Sequence, residues 1–173
     1  RQEKESGMSG DWQAIAWILA VGVFATLFMD GVAWLRARLL GQRGLDWAMV
    51  GRWLGHVAKG SLILSNPQAA DPMPFERALG WGLHYAVGVA LAAFLWGLLS
   101  WGVLREPTIL QIVGFGLATV LLPMLIMQPG LGMGLAARYT PQPWLARRRS
   151  LVTHFTFGVG LYLGAELATR ILG

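Results

Sequence analysis

The sequence contains no cysteine, which excludes a disulfide framework, a thiolate metal site and a catalytic thiol. Charged side chains are also scarce, at 13% of the 173 residues, about half the fraction that is typical of a soluble domain. Disorder is excluded as well, because disordered chains are poor in apolar residues and 55% of these residues are hydrophobic. The class that fits these absences is a small integral membrane protein.

Four stretches are apolar and long enough to cross the hydrocarbon core of a bilayer, which takes roughly 20 helical residues. They cover residues 12–35, 78–104, 107–128 and 151–168. Pro107 is a good first helical residue, Pro123 predicts a kink inside the third span, and Ser150 is placed to act as the N-cap of the fourth. The sequence therefore predicts an all-α membrane protein, built as an antiparallel bundle of four transmembrane helices.

The N-terminal residues differ in character from the rest of the chain. Residues 1–7 are abruptly polar, and we interpret them as a remnant of expression before a natural start at Met8. Residues 8–173 then form a single integral membrane domain. The first span has no basic flank directly before it and no small-residue cleavage site after a short apolar core, so we expect it to be retained rather than removed as a signal peptide.

Basic residues are distributed unevenly between the two sides of the predicted bundle. The first connection holds six Lys and Arg residues and the third holds four, against four on the opposite side. Because basic residues stay on the cytoplasmic side, we predict both connections inside and both termini outside. This topology explains the basic pI, so no nucleic-acid partner is needed to account for it. The expected partners are the bilayer and its anionic lipid headgroups.

Several short motifs occur in one order along the chain. They are Met29-Asp30, the run 51–56, the run 76–81 leading to His84-Tyr85, Met127-Gln128-Pro129, Thr140-Pro141 with Pro143, and Ser150-Leu151 with His154 and Phe157-Gly158. Their order and spacing resemble the small bacterial inner-membrane proteins grouped as domain of unknown function 2938, over essentially everything from Met8 onward. The resemblance implies a four-span protein of the bacterial inner (cytoplasmic) membrane, and it implies no activity.

Four polar side chains lie at a similar depth in the predicted spans. At a rise of 1.5 Å per residue, Asp30, His84 and His154 are about 9, 10 and 7–8 Å from the inner ends of their helices. Gln128 lies on the same side, where Pro129 stops the third helix. Ionisable groups inside a membrane usually face the bundle interior or a watery cavity, so we predict one ligand-binding site shared by the four. The alternative is that they only lock the bundle by interhelical hydrogen bonds.

Glycines flank both histidines at helical spacing. Gly80 and Gly88 lie four residues on either side of His84, and Gly158 lies four residues after His154, which would let a helix or a flat ligand approach closely. A separate small-residue stripe on the fourth span predicts helix packing or self-association. Its members are Gly160, Gly164 and Ala168.

The first connection carries a second candidate site. Asp46 predicts the start of a helix and Gly60 its end. Arg52, His56 and Lys59 would share one face of this helix. An amphipathic helix of this kind lies in the headgroup plane, where its basic face can contact a lipid phosphate or another anionic ligand.

Metal or haem binding is a sharper alternative for the polar layer. Asp30, His84 and His154 offer side chains that zinc, iron or copper accept as ligands, and the two histidines could hold a haem between them. No HxxxH or HExxH spacing occurs in the sequence, so the alternative depends on inferred proximity alone.

The leading hypothesis is a protein that binds or transports a small ion or ligand, in which Asp30 and the histidines bind a cation or exchange protons. Four helices enclose little volume, so a transporter of this size is expected to be a homo-oligomer. One rival is a non-catalytic accessory or assembly subunit that contacts a partner through its glycine stripe and basic loops. Another is a membrane enzyme acting on a lipid headgroup, with His84 or His154 as the acid–base group. The sequence lacks a catalytic triad or paired carboxylates, which disfavours an enzyme.

Overall fold

Four helices of the protein are long and apolar enough to cross a membrane. The structure, a computed structural model, describes the backbone of residues 2–41, 44–104 and 107–172 and the side chains of residues 11–41, 44–104 and 107–171. The four candidate spans are Asp11–Leu40, Glu76–Ser100, Ile109–Gly130 and Pro143–Ile171. The described ranges contain no strand. The prediction of an all-α membrane protein with four spans is therefore confirmed.

Six α-helical elements follow one another along the chain. They are α1 (Gln2–Leu40), α2 (Trp47–Val57), α3 (Glu76–Ser100), α4 (Ile109–Ala118), the single turn α5 (Gln128–Gly130) and α6 (Pro143–Leu172). A π-helical segment, Pro123–Met127, leads into α5, and a 3₁₀ turn, Leu135–Ala137, precedes α6. The π segment begins at the proline where the sequence predicts a kink, since proline lacks the N–H that a regular helix needs.

The third span begins later than the sequence predicts. Its helix α4 starts at Ile109 rather than at Pro107, because Thr108 acts as the N-cap. The Thr108 hydroxyl accepts a hydrogen bond from the Gln111 N–H at 3.3 Å, and the Gln111 side chain accepts one from the Thr108 N–H at 2.9 Å. This reciprocal pair is a capping box, which satisfies two otherwise unpaired donors.

Helices α6 and α1 begin earlier than predicted. Because α6 starts at Pro143, a residue well suited to the first helical position, Ser150 lies inside the helix and is not its N-cap. Helix α1 extends back to Gln2, and the interpretation of residues 1–7 as a remnant stays a prediction.

Helix α1 is central to the bundle, since it packs against both α3 and α6, while α4 packs against α6. The helices approach most closely at glycines: a Cβ atom on Gly22 would lie 2.6 Å from the Val89 Cα atom, and one on Gly116 would lie 2.6 Å from the Gly158 nitrogen. Lipid provides no hydrophobic drive for helix association, so close backbone contact carries it instead. The residue pairs run in opposite directions along the chain, as expected for antiparallel neighbours.

The small-residue stripe of α6 packs inside this chain. A Cβ atom on Gly160 would lie 2.9 Å from Ala25 of α1, and one on Gly164 would lie 3.1 Å from the Phe24 ring. Ala168 is buried in the same core. The predicted helix packing is confirmed, since α1 covers this face, and self-association of the protein stays a prediction.

Helix α2 begins where the sequence predicts and is docked on the start of α3. The Asp46 carboxylate accepts a hydrogen bond from the N–H two residues later, at 3.0 Å, and the chain turns away from the helix axis at Gly60, where φ is +91°. Gly51 of α2 and Gly80 of α3 face each other so closely that a Cβ atom on either would overlap the other helix's backbone. The position of α2 in the headgroup plane stays a prediction.

Candidate functional site

Asp30 and His84 form a hydrogen-bonded pair between α1 and α3. The His84 Nε2 atom donates to Asp30 Oδ1 at 2.9 Å, and the Tyr85 hydroxyl donates to Asp30 Oδ2 at 3.2 Å. Both carboxylate oxygens therefore have a protein donor. The His84 side chain is 9% exposed and that of Asp30 is 25% exposed, so the carboxylate is the more accessible partner.

Aromatic rings surround the His84 imidazole. The centroids of the Trp47, Trp81 and Tyr85 rings lie 4.1, 5.6 and 5.5 Å from its own. Trp47 reaches this position because α2 docks at Gly80, one turn before the histidine. We call the five side chains of Asp30, Trp47, Trp81, His84 and Tyr85 the Asp30 cluster.

His154 belongs to a different contact, between α6 and α4. Its Nδ1 atom lies 2.7 Å from the Thr119 hydroxyl oxygen, and that hydroxyl donates to the Gly116 carbonyl at 2.6 Å. A hydroxyl carries only one proton, so Nδ1 is the donor to Thr119. The neutral imidazole of His154 thus keeps its proton on Nδ1 and has an unprotonated Nε2.

Gln128 lies on the same α4–α6 side, in the single turn α5. Its Nε2 atom donates to the Ser150 hydroxyl at 3.2 Å, and Ser150 is one helical turn before His154. The Leu64 N–H donates to the Gly130 carbonyl at 2.8 Å, so the first connection covers this turn. The residue Gln128 is 4% exposed, and within the described ranges its Oε1 atom is buried without a partner.

The predicted polar layer is therefore divided into two groups. Asp30 and His84 bond to each other, whereas His154 bonds to Thr119 and Gln128 bonds to a serine. No hydrogen bond between the two groups is present in the part of the chain that the structure describes. A single site that all four side chains line stays a prediction.

The geometry does not form the metal or haem site considered above. Over the described ranges, no three histidine, aspartate or glutamate side chains are grouped so that they could hold a metal ion, so Asp30, His84 and His154 do not make a ligand set. The glycines beside His84 leave no space for a porphyrin. A Cβ atom on Gly80 would already overlap the α2 backbone, and one on Gly88 would overlap the Thr26 hydroxyl of α1.

Arg52 has partners within the chain. Its Nε and Nη2 atoms donate to the two carboxylate oxygens of Glu76, each at 2.8 Å, and Nη1 donates to the carbonyls of Pro67 and Ala70 at 2.9 and 3.1 Å. The hydrogen bonds that Arg52 donates to Glu76 raise the pKa of the Arg52 guanidinium above its usual value. This side chain ties α2 and the following loop to the start of α3, so its donors are not directed at an external anion.

The other two residues of the predicted basic face are more accessible. The His56 ring lies 3.1 Å from the Asp71 carbonyl, and the exposed Lys59 ammonium lies 3.6 Å from the Met73 sulfur. Contact with a lipid phosphate or another anion stays a prediction for these two residues.

The family of the chain follows from a comparison with family models. The model described as "Protein of unknown function (DUF2938)" matches residues 19–168. The chain belongs to this family. The match contains the Asp30 cluster as well as Thr119, Gln128, Ser150 and His154, and the resemblance expected from the sequence motifs is confirmed. Comparisons with curated proteins and with solved structures gave no match.

Sequence reasoning about this DUF2938 protein missed several members of the two groups. The sequence offers a signal that could have identified two of them: Tyr85 follows His84 directly in one of the motifs, and Thr119 is a hydroxyl-bearing residue inside an apolar span. The sequence offers no such signal for Trp47, because its contact with His84 depends on how α2 docks. The sequence predicts Ser150 as a helix cap, whereas the structure places it as the hydrogen-bond partner of Gln128.

Proposed function

We propose that this protein binds a small cation in exchange for a proton at the Asp30 cluster. The observation that carries the proposal is a carboxylate within a membrane span that holds an imidazole at 2.9 Å. Imidazole changes its charge near neutral pH, and an unbalanced charge inside the membrane is expensive. A monovalent cation that reaches Asp30 therefore displaces the proton from His84, which keeps the total charge of the cluster constant.

The proposed location of the protein is the bacterial cytoplasmic membrane, with both termini outside and the Asp30 cluster in the inner leaflet. The support is the distribution of Lys and Arg, ten on the side of the first and third connections against four on the other. At a rise of 1.5 Å per residue, Asp30 is about 9 Å along α1 from Arg36, and His84 is about 10 Å along α3 from Arg77, both on the basic side. The ligand consequently reaches the cluster from the cytoplasmic half of the membrane.

Transport of the cation would require a second copy of the chain. Within the described ranges, glycine contacts close the α1–α3 interface at Gly22 and the α4–α6 interface at Gly116. A homo-oligomer supplies additional surfaces on which a transport path can form. The accessory-subunit hypothesis has less support, because its proposed contact stripe at Gly160 and Gly164 is covered by α1.

Proton release on cation addition tests the proposal. Purified protein in a weakly buffered detergent solution near neutral pH is titrated with Na⁺, K⁺, Mg²⁺ and tetraphenylphosphonium, and a pH-indicator dye reports the protons released. At least one of these cations should release protons saturably, and Asp30→Asn should abolish the release. The matched control is Glu166→Gln, since Glu166 pairs with Arg170 at 3.6 Å on an exposed face of α6.

Two results would refute the proposal. One is proton release of equal size in Asp30→Asn and in the unaltered protein, which would place the exchange elsewhere. The other is the absence of release with every cation tested, while size-exclusion chromatography and circular dichroism show that the protein is folded. A second expectation concerns pH: because the proton and the cation compete, cation affinity should weaken as the pH falls.

A further inference from the structure

We infer that the cation is organic, with a delocalised or quaternary positive charge, and that it binds in the position now held by the His84 ring. This inference rests on the proposed function and names the ligand class of the same site. The support comes from the ligand atoms that the Asp30 cluster offers, the rings that line it and its accessibility.

The Asp30 cluster offers too few ligand atoms for a metal ion. Zinc takes about four nitrogen, sulfur or oxygen ligands and calcium or magnesium about six or more oxygens. The cluster provides one carboxylate, the His84 imidazole and the Tyr85 hydroxyl, while the polar atoms of Trp47 and Trp81 are N–H groups that only donate. Within the described ranges no third acidic or histidine side chain completes a set.

Aromatic rings, in contrast, are abundant around the position of the ligand. A cation over a Trp or Tyr face within about 6 Å of its centroid is attracted by the ring quadrupole. The centroids of Trp47, Trp81 and Tyr85 all lie between 4.1 and 5.6 Å from that of the His84 ring. The Trp47 ring is tilted by 32° against the His84 ring, and the Trp81 and Tyr85 rings are T-shaped to it at 67° and 80°. Together with the carboxylate at one edge, these rings form a site suited to an organic cation.

His84 itself shows what this site accommodates. When protonated, its imidazolium is a flat, delocalised organic cation, bonded to Asp30 at 2.9 Å and tilted against the Trp47 ring at an interplanar angle of 32°. A ligand of the same character can make the same contacts once the side chain rotates away. The neutral imidazole then needs no carboxylate partner.

The ligand reaches the cluster from the lipid side. Trp81 is 39% exposed and the Asp30 side chain is 25% exposed, so both face the surroundings of the bundle at the level of the inner leaflet. An ion that enters sideways must tolerate lipid, which favours a lipophilic cation over a hydrated metal ion.

The exchange step balances in charge. Before it, protonated His84 faces ionised Asp30; after it, the ligand cation faces ionised Asp30, His84 is neutral and one proton has entered the water. Other groups bear on this proton. In the cluster they are Asp30 on α1, which accepts the hydrogen bond of His84, and Tyr85 on α3, which donates to the same carboxylate. Along the sequence, the nearest charged side chains are Arg36 on α1, Asp46 at the start of α2 and Arg77 on α3, while His154 on α6 is neutral.

The experiment uses tetraphenylphosphonium as the probe and tetraphenylborate as a control of equal shape and opposite charge. Binding to the protein in lipid nanodiscs is measured by calorimetry in parallel with proton release. The cation should bind saturably and release about one proton per bound ion, with an affinity that weakens as the pH falls because the proton and the cation compete. Tetraphenylborate should show no saturable binding.

Variants separate the roles of the side chains. Asp30→Asn should abolish binding, whereas His84→Gln should keep binding but release no proton, which a merely structural role for His84 would not produce. Trp81→Leu should weaken binding about 2- to 30-fold. Trp144→Leu, which removes an exposed tryptophan on the same side of the bundle, should change nothing. If Asp30→Asn fails to fold, the two tryptophan variants still test the inference.

The outcomes distinguish this inference from the proposed function. Asp30-dependent proton release by Na⁺, K⁺ or Mg²⁺ but not by tetraphenylphosphonium would overturn the organic-cation inference and leave the proposed function standing. Binding of tetraphenylphosphonium that is unchanged in Asp30→Asn and Trp81→Leu would show partitioning into lipid and overturn the inference as well. The absence of Asp30-dependent release with every cation would overturn both.

Discussion

Replacing Gly116 by alanine should separate α4 from α6. A Cβ atom there would overlap the backbone of Gly158, with its nitrogen only 2.6 Å away. Ordinary van der Waals contact begins at about 3.4 Å, so the helices must move apart by about 1 Å. Overpacking of this kind costs about 1–3 kcal/mol, which the better helix propensity of alanine offsets by about 1 kcal/mol.

Gly114→Ala provides a matched control in the same helix. A Cβ atom at Gly114 meets nothing within 4 Å, so that variant should be stabilised by about 1 kcal/mol through helix propensity alone. The difference in unfolding free energy between the two variants isolates the contact and is expected to be about 1–3 kcal/mol. It is measured by unfolding in mixed micelles of increasing SDS content, followed by circular dichroism.

The Gly116→Ala substitution should also break the hydrogen bond of His154. Its 2.7 Å hydrogen bond with Thr119 crosses the interface about one turn from Gly116 and Gly158, so a separation of about 1 Å stretches the bond beyond hydrogen-bonding distance. The ¹⁵N shift of His154 Nδ1 should change in Gly116→Ala and not in Gly114→Ala. Equal stability of the two variants would refute the packing argument, and lost stability with an unchanged histidine signal would refute the link between packing and the polar contact.

Three other changes test the remaining contacts. Thr119→Val removes the hydrogen-bond partner of His154 and should lower the unfolding free energy by about 0.6–1.7 kcal/mol, the range for interhelical bonds in membranes; an unchanged ¹⁵N shift at His154 would contradict the bond. Arg52→Lys cannot reproduce the four hydrogen bonds of the guanidinium, so amide hydrogen exchange in α2 should accelerate about tenfold or more. The control Lys59→Gln should leave this exchange rate unchanged. Equal exchange rates in the two variants would contradict the role of Arg52 in holding α2 on α3. Gln128→Leu removes both a weak hydrogen bond and an unpartnered acceptor, so it should change the unfolding free energy by less than about 1 kcal/mol; a loss above about 2 kcal/mol would mean that a bound molecule satisfies Oε1.

Composition and hydropathy alone determine that this chain is an all-α membrane protein with four spans. The reason is physical: a helix that satisfies its own backbone hydrogen bonds and is apolar over roughly 20 residues belongs in a bilayer. Local sequence signals also predict the structure correctly at Asp46, which caps α2, and at Pro123, where the π segment begins. They fail where a competing local interaction is stronger, as when the capping box at Thr108 moves the start of α4 past Pro107.

The partners of the polar side chains were decided by the tertiary structure. The rise per residue gives the depth of Asp30, His84 and His154, but rotation about each helix axis and the order of neighbours are set by packing. Asp30 meets His84 because glycines bring α1 and α3 together, and His154 meets Thr119 because Gly116 and Gly158 do the same for α4 and α6. The four polar side chains predicted at one depth therefore form two separate groups. The sequence of one helix gives the depth of a side chain, but the packing of two helices decides which side chains are in contact.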